Sequence, residues 1–397
     1  MNKKTAIVLI ITVISPFILR PVLAQNSQNV SFPRLHPEAK ALEYYHLGRQ
    51  NNGYSWIQLA EISLWASGDS SAAGLARIRE LAERLNNSNE LPSSARERAE
   101  FILTYLHRNT LRTYSINQTR VDTIFANGNF NCVSSAVLYM LLCNSAGIDT
   151  SGVVTKDHSF VTVHINGENI DVETTNRFGF DPGNRREFHD QFGRLTGFSY
   201  VPARNYHDRQ TISKIELISL ILNNRISELE KQNRYSDAVQ LAFDRAALLY
   251  GETLTINTGI NSRGLLFEDP RIELLNRLFN YGTWLLRTNR EEDSLRWAAE
   301  IASRFPDDRW QEFILAAVNN RITRFIREGK TNEARNFLEI YKTNILYANY
   351  SQLDSIITDA ELLRSANQIL TAADGDAVVN AIVNARSSGK ITERRAA

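Results

Sequence analysis

The sequence predicts an α+β protein, mainly helical, in which one short stretch of antiparallel strands interrupts helices on both sides. Three observations carry this. Apolar residues recur at helical spacing from 36 to 108. Three strand-like runs, Gly152–Thr155, His158–Ile165 and Glu168–Thr174, stand together, with Asn166-Gly167 between the last two. From about 212 onward the chain returns to helical spacing and repeats itself.

The elements follow in order. Residues 1–24 read as a signal peptide: Lys3 and Lys4 precede an apolar run from Ala6 to Leu19, and Val22-Leu23-Ala24 offers a cleavage site before Gln25. The expectation is an exported protein, periplasmic or extracellular, with no stable membrane span once the peptide is removed, because no later segment is long and apolar enough. Residues 25–95 form an N-terminal helical region. Trp56, Leu59, Ile62 and Trp65 make one stripe ended by Gly68, and Leu75, Ile78, Leu81 and Leu85 make another. After Pro92-Ser93-Ser94 a further helix runs to His107.

A loop at Ala126-Asn127-Gly128-Asn129 leads into a helix spanning Asn131 to Gly147 with Cys132 in its first turn. The positive end of a helix and its unpaired N–H groups favour thiolate over thiol. Asn-Gly is the strongest short hairpin signal. A two-residue turn there pairs Phe160 with Glu173, Thr162 with Asp171 and His158 with Thr175. His158, Phe160, Thr162 and His164 then share a sheet face with Asp171, Glu173 and Thr175. Glu173 is the diagonal neighbour of His158, roughly 7–8 Å away between backbones, and Asp171 is the more distant, less favoured acid. Ser159, Val161, Val163 and Ile165 make the packed face. A nucleophile, a base and an orienting acid are therefore Cys132, His158 and Glu173.

The chain has two cysteines, Cys132 and Cys143. Along one helix their Cα atoms lie roughly 16 Å apart, too far for a disulfide, which needs about 7 Å or less. No metal site is expected. His158 and His164 are about 20 Å apart on a strand, and His36, His46, His107, His189 and His207 show no ligand spacing. No phosphate-binding glycine loop appears, so no cofactor is expected. The net charge of +1 offers no bulk electrostatic reason for a nucleic-acid partner.

In the third segment, 213–387, a polar turn recurs between apolar helices: Asn233-Arg234-Tyr235-Ser236-Asp237-Ala238, Asn289-Arg290-Glu291-Glu292-Asp293-Ser294 and Gly329-Lys330-Thr331-Asn332-Glu333-Ala334. This resembles degenerate tetratricopeptide-type hairpins stacked into an α-solenoid, longer and less even than the usual ~34-residue repeat. Such a resemblance implies a protein partner docked on the helices, with Trp284, Trp297 and Trp310 as candidate contributors. Residues 388–397 are expected to be a disordered tail.

Residues 96–183, within a domain expected to span 96–212, resemble the transglutaminase-like superfamily, which shares a papain-type core of helix plus antiparallel sheet. The matching residues run from the Ala99–Tyr105 helix through Thr113-Tyr114, Val121 and Asn131-Cys132-Val133-Ser134-Ser135-Ala136. They continue through Ala146-Gly147-Ile148, His158-Ser159-Phe160-Val161, Gly167 and Asp171-Val172-Glu173-Thr174-Thr175. The family's Cys maps to Cys132, its His to His158 and its Asp to Glu173. Phe130 stands where the family usually has Gly, and Glu replaces Asp. The resemblance implies a thiol hydrolase or acyl-transferase acting on a peptide or protein substrate, cell-envelope peptides among those export would offer. The alternative is an inactive fold of this kind serving as a protein-binding scaffold in the cell envelope.

Overall fold

The computed structural model describes residues 32–183, 208–254 and 267–371, with scattered positions between 376 and 387. The expected signal peptide and the expected tail lie outside the described residues, as do His189 and His207. The described chain is mainly helical with small sheets, an α+β protein. It divides into one compact unit spanning Phe32–Tyr281 and another that begins at Gly282. Among the described residues, no helix is long and apolar enough to cross a membrane.

The first unit opens with helices α1 (Ala39–Gln50), α2 (Trp56–Ser67), α3 (Ala72–Asn86) and α4 (Ala95–Asn109). A reciprocal capping box between Ser55 and Gln58 starts α2, and Gly68 ends it in the left-handed conformation, φ 85°. Strand β1 (Thr113–Tyr114) pairs in parallel with β2 (Asn129–Phe130), and α5 (Val121–Asn127) lies between them. The predicted 126–129 loop is thus partly helical. Gly128, at φ 76°, delays the stop by supplying the left-handed cap.

Helix α6 (Cys132–Ser145) is buried all round from Val133 to Cys143. An all-apolar helix belongs at the centre of a core, and α6 packs against α2, α4 and α5 as well as against the sheet. That sheet is antiparallel, in the order β5-β4-β3-β6, built from β3 (Asp149–Val154), β4 (Ser159–Ile165), β5 (Glu168–Val172) and β6 (Gln210–Ile212). Asn166 and Gly167 both take positive φ, 52° and 83°, as a two-residue primed turn requires. The register places Thr162 opposite Asp171, as the turn predicts. The ladder stops at Val161↔Val172, however. Glu173 therefore lies beyond β5, and His158 lies just ahead of β4.

Helices α7 (Lys214–Lys231) and α8 (Tyr235–Tyr250) complete this unit together with the start of α9 (Pro270–Arg287). Helix α2 packs on α7, and α1 packs on α8. One hydrophobic core consequently runs from Ala41 to Phe267, and residues on both sides of the expected boundaries at 95/96 and 212/213 pack together. Buried Arg245 pairs with Glu273, while Arg277 bonds both Glu230 (2.6 Å) and Glu273 (3.0 Å), so ion pairs join α7, α8 and α9.

The second unit contains α10 (Glu291–Arg304), α11 (Arg309–Arg327), α12 (Thr331–Ile340) and α13 (Tyr347–Thr371). Trp297 and Trp310 are core residues, 0% and 2% exposed, and present no surface; Trp284 is half-buried under Arg290.

The repeated polar turns have one physical cause wherever they occur. Asn233, Asn289 and Gly329 are left-handed, with φ of 60°, 62° and 73°. In each turn the next amide reaches back to close the helix: Arg234 N to Leu229 O, Arg290 N to Leu285 O and Lys330 N to Phe325 O, at 2.8–2.9 Å. This is a helix-ending turn that Gly or Asn adopts at least cost. Five residues after each left-handed position, Ala238, Ser294 and Ala334 are buried, which explains why only small residues recur there.

Candidate active site

The tip of α6 is built by Asn131. Its Oδ1 accepts the Ser134 amide at 3.0 Å, and Ser134 Oγ accepts the Asn131 amide at 3.0 Å. Asn131 Nδ2 donates to Ile116 O, and Ser134 Oγ donates to Gln118 O, which ties the loop after β1 to the same tip. The capping box takes up the Ser134 amide. The Cys132 and Val133 amides lie ahead of it, at the positive end of the helix. Cys132 is half-buried and unbridged, and Cys143 is fully buried and likewise free. Burial pushes the Cys143 thiol up to about 12, so it is an inert core residue.

His158 is brought to Cys132 by the β3–β4 turn, closed where Thr155 N donates to His158 O at 2.9 Å. Its side chain is 8% exposed and that of Glu173 is 1% exposed; His158 Nε2 meets Glu173 Oε2 at 2.6 Å. With Nε2 engaged there, the imidazole and the Cys132 thiol act on each other electrostatically, each shifting the other toward its charged form. The ring stacks on Phe160 at 6.4 Å.

Glu173 is held by a tight turn. Glu173 N donates to Gly179 O at 2.8 Å, and Gly179 N donates to Asn176 O at 2.9 Å. Glu173 Oε1 accepts from Thr175 N (3.1 Å) and Thr175 Oγ (2.7 Å), so both carboxylate oxygens are occupied. Thr174 Oγ donates to Ser135 Oγ, which in turn donates to Asn131 O, each at 2.8 Å. His107 Nε2 donates to Thr174 O at 3.0 Å. The turn that bears Glu173 is therefore fastened both to α6 and to α4.

Asp171, the less favoured acid, is occupied elsewhere. Thr162 Oγ donates to it at 2.8 Å, and Arg209 grips it with two bonds of 2.8 and 2.9 Å while lying over the Phe160 ring. His164 bonds Asn169 and Ser151. Among the described residues, no group of three or more His, Cys, Asp or Glu could hold a metal.

Electrostatics set the protonation. Burial would raise the Cys132 thiol, but the hydrogen bond and charge of His158, with bonds from Ser159, bring it below its ordinary value. Burial likewise works against charge on His158, yet Glu173 and the Cys132 sulfur raise it well above the usual imidazole range. Both shifts favour a thiolate–imidazolium pair over the neutral thiol and imidazole. Tyr114 is raised first by burial and then by the neighbouring charge of Cys132, to which its hydroxyl bonds.

Three participants are absent from the set that the sequence predicts. His107 carries no local signal, and Tyr114 lies within the stretch that carries the resemblance but shows no role of its own there. They flank Phe130, which meets both rings edge-on at 5.8 and 6.0 Å. Ser159 does leave a trace, as a hydroxyl heading an otherwise apolar alternation of Val161, Val163 and Ile165.

His107 yields a prediction. Burial holds it down at about 4 from an ordinary 6.5, so the folded state binds fewer protons than the unfolded one between those values. Its contribution to stability is complete above about pH 6.5 and is lost as pH falls toward 4, roughly 3 kcal/mol in all. Chemical denaturation between pH 4 and 7 checks it: His107→Gln should flatten this acid slope, and an unchanged slope refutes the assignment.

No protein-family model matches this chain, and no curated protein matches it either.

Proposed function

We propose that this chain is an exported thiol hydrolase or acyl-transferase with a transglutaminase-like, papain-type core, in which Cys132 is the nucleophile, His158 the acid–base and Glu173 the orienting acid. The observation that carries the reading is the buried His158–Glu173 pair, with Nε2–Oε2 at 2.6 Å, close enough to Cys132 for the imidazole to lower its thiol. The raised imidazole and lowered thiol support it further.

In the reaction, Cys132 Sγ attacks an amide carbonyl and the C–O π pair moves to oxygen. The α6 tip amides are oriented to receive that charge. His158 gives its proton to the amide nitrogen as the C–N bond breaks, leaving a thioester and a free amine. Water or another amine then attacks the thioester carbonyl and gives its proton to His158, and the C–S bond breaks to restore the thiolate. Glu173 keeps the ring oriented throughout. Peptides of the cell envelope or secreted proteins are the substrates that export would supply. The helical hairpins, read as tetratricopeptide-like, would dock a protein partner or present the substrate.

The test is intact-mass and peptide mapping after incubation with glutamine- and lysine-containing peptides, with and without a primary amine. An acyl adduct confined to the Cys132 peptide, absent in Cys132→Ala, is expected. Amine incorporation indicates transfer, and free acid indicates hydrolysis. If amide turnover persists in Cys132→Ala, the proposal fails.

A further inference from the structure

We propose that Thr174 is a positioning residue: bonded through its hydroxyl to α6 and through its carbonyl to α4, it fixes the main chain from which the Glu173 carboxylate reaches His158. This rests on the reading of Cys132, His158 and Glu173 as one site.

The β4–β5 ladder ends at Val161↔Val172, so no strand pairing holds Glu173 in place. Its carboxylate is only as well placed as the turn beneath it. The next residue, Thr174, is fully buried, and so is Ser135 on α6. Ser135 Oγ lies 2.8 Å from Asn131 O, which can only accept, so its one hydrogen is used there. Cys132 O, at 3.4 Å, is the longer alternative. Thr174 Oγ therefore donates the 2.8 Å bond between the two hydroxyls. The Asn131 carbonyl and the Cys132 amide belong to one peptide unit. Two hydroxyls thus link the peptide that enters Cys132 to the residue that follows Glu173.

The second attachment comes from α4. The Thr174 carbonyl only accepts, so His107 donates to it through Nε2, at 3.0 Å. Burial holds His107 down at about 4, so near neutral pH it fastens the turn without setting a rival cation beside the Glu173 carboxylate. One attachment would let the turn pivot. Two, from separate helices, do not. The titratable groups around the His158–Glu173 pair are Cys132, Tyr114 and His107, and neither Thr174 bond touches a reacting atom. Placement is what the bonds supply, and a misplacement of about 1 Å can cost roughly 10²-fold in rate.

The experiment is the NMR titration of the His158 imidazole in the full-length chain, assigned by its loss in His158→Ala, beside the iodoacetamide alkylation rate of Cys132 against pH. Thr174→Val keeps the volume and removes the hydroxyl, and Ser135 still donates to Asn131 O, so no buried donor is stranded. In Thr174→Val the His158 midpoint should fall by about half a unit to one unit, or roughly three- to tenfold in proton affinity, in the direction that Glu173→Gln takes further. Thr174→Ser, which keeps the hydroxyl, should restore the wild-type midpoint. Ser135→Ala removes the same bond from the other side, so the double variant should shift no further than the larger single shift. Should Thr174→Val not fold, Ser135→Ala is read in the same way. A merely structural role would lower thermal stability and leave the midpoint unmoved. A Thr174→Val midpoint equal to the wild type overturns the proposal, and so does a wild-type midpoint at the ordinary imidazole value. A raised His158 midpoint beside an ordinary Cys132 alkylation profile is a separate result: it removes the nucleophile and leaves the positioning of Glu173 standing.

Discussion

Replacing His158 with alanine is expected to move the inflection of Cys132 alkylation up to, or past, the ordinary thiol value of about 8.5, and to cut the rate at pH 6 by at least about tenfold. The sign follows from the balance at the sulfur. Burial alone raises the thiol; the hydrogen bond from His158 and the charge on its ring do most to oppose it. In the wild type the thiolate persists below the ordinary thiol range and is lost only as pH falls through the lowered value. Without the imidazolium, burial is opposed only by Ser159 and the helix tip. Tyr114, a neutral donor held well above its ordinary value, supplies a bond but no charge. Rates measured from pH 4 to 10 decide the matter: a profile identical to the wild type would mean that the sulfur and the ring are not electrostatically linked.

The second large effect is expected at Glu173. In Glu173→Gln the side-chain oxygen remains on the two Thr175 donors, which turns the amide NH2 toward His158 Nε2, where the carboxylate accepted at 2.6 Å. Two donors then face each other. The imidazole relieves this by carrying its proton on the nitrogen facing the sulfur, and that tautomer can take no proton from the thiol. Loss of the orienting acid in such a triad costs about 10⁴-fold in turnover, and amide turnover should fall by about that much. Stability should fall much less, because the ring sheds its charge rather than remaining buried and unpaired. Turnover and denaturant midpoint measured together test this. A variant that loses both equally would make Glu173 a folding residue and not an orienting one.

Much of this site is readable in the sequence because its signals are local. Asn166-Gly167 dictates both the turn and the register, and carrying that register past the strand ends brings Glu173 toward His158 while Thr162 faces Asp171. The first-turn position of Cys132 follows from the cap that Asn131 provides. The recurring turns at Asn233, Asn289 and Gly329 are visible because a left-handed residue must be Asn or Gly at low cost. What stays hidden depends on tertiary contact. Glu173 lies beyond its strand because Gly179 closes a turn over it. Arg209 claims Asp171 from far along the chain, and short β6 has too few residues to show a period. Tyr114, His107 and the Ser159 hydroxyl acquire their roles only once β1, α4 and β4 converge on the α6 tip. The core continuing across 95/96 and 212/213 is likewise invisible to periodicity, which reports that a face is apolar but not what covers it.

The turn at Gly179 has a consequence for how this gene can vary. A Cβ built there would sit 1.9 Å from the Glu173 carbonyl oxygen and 2.9 Å from that of Asn176, so no side chain fits without shifting main chain that positions the acid. In a saturation library scored for turnover, position 179 should tolerate replacement as poorly as Cys132 itself, although it bears no reactive atom. Glycine there is selected for its emptiness.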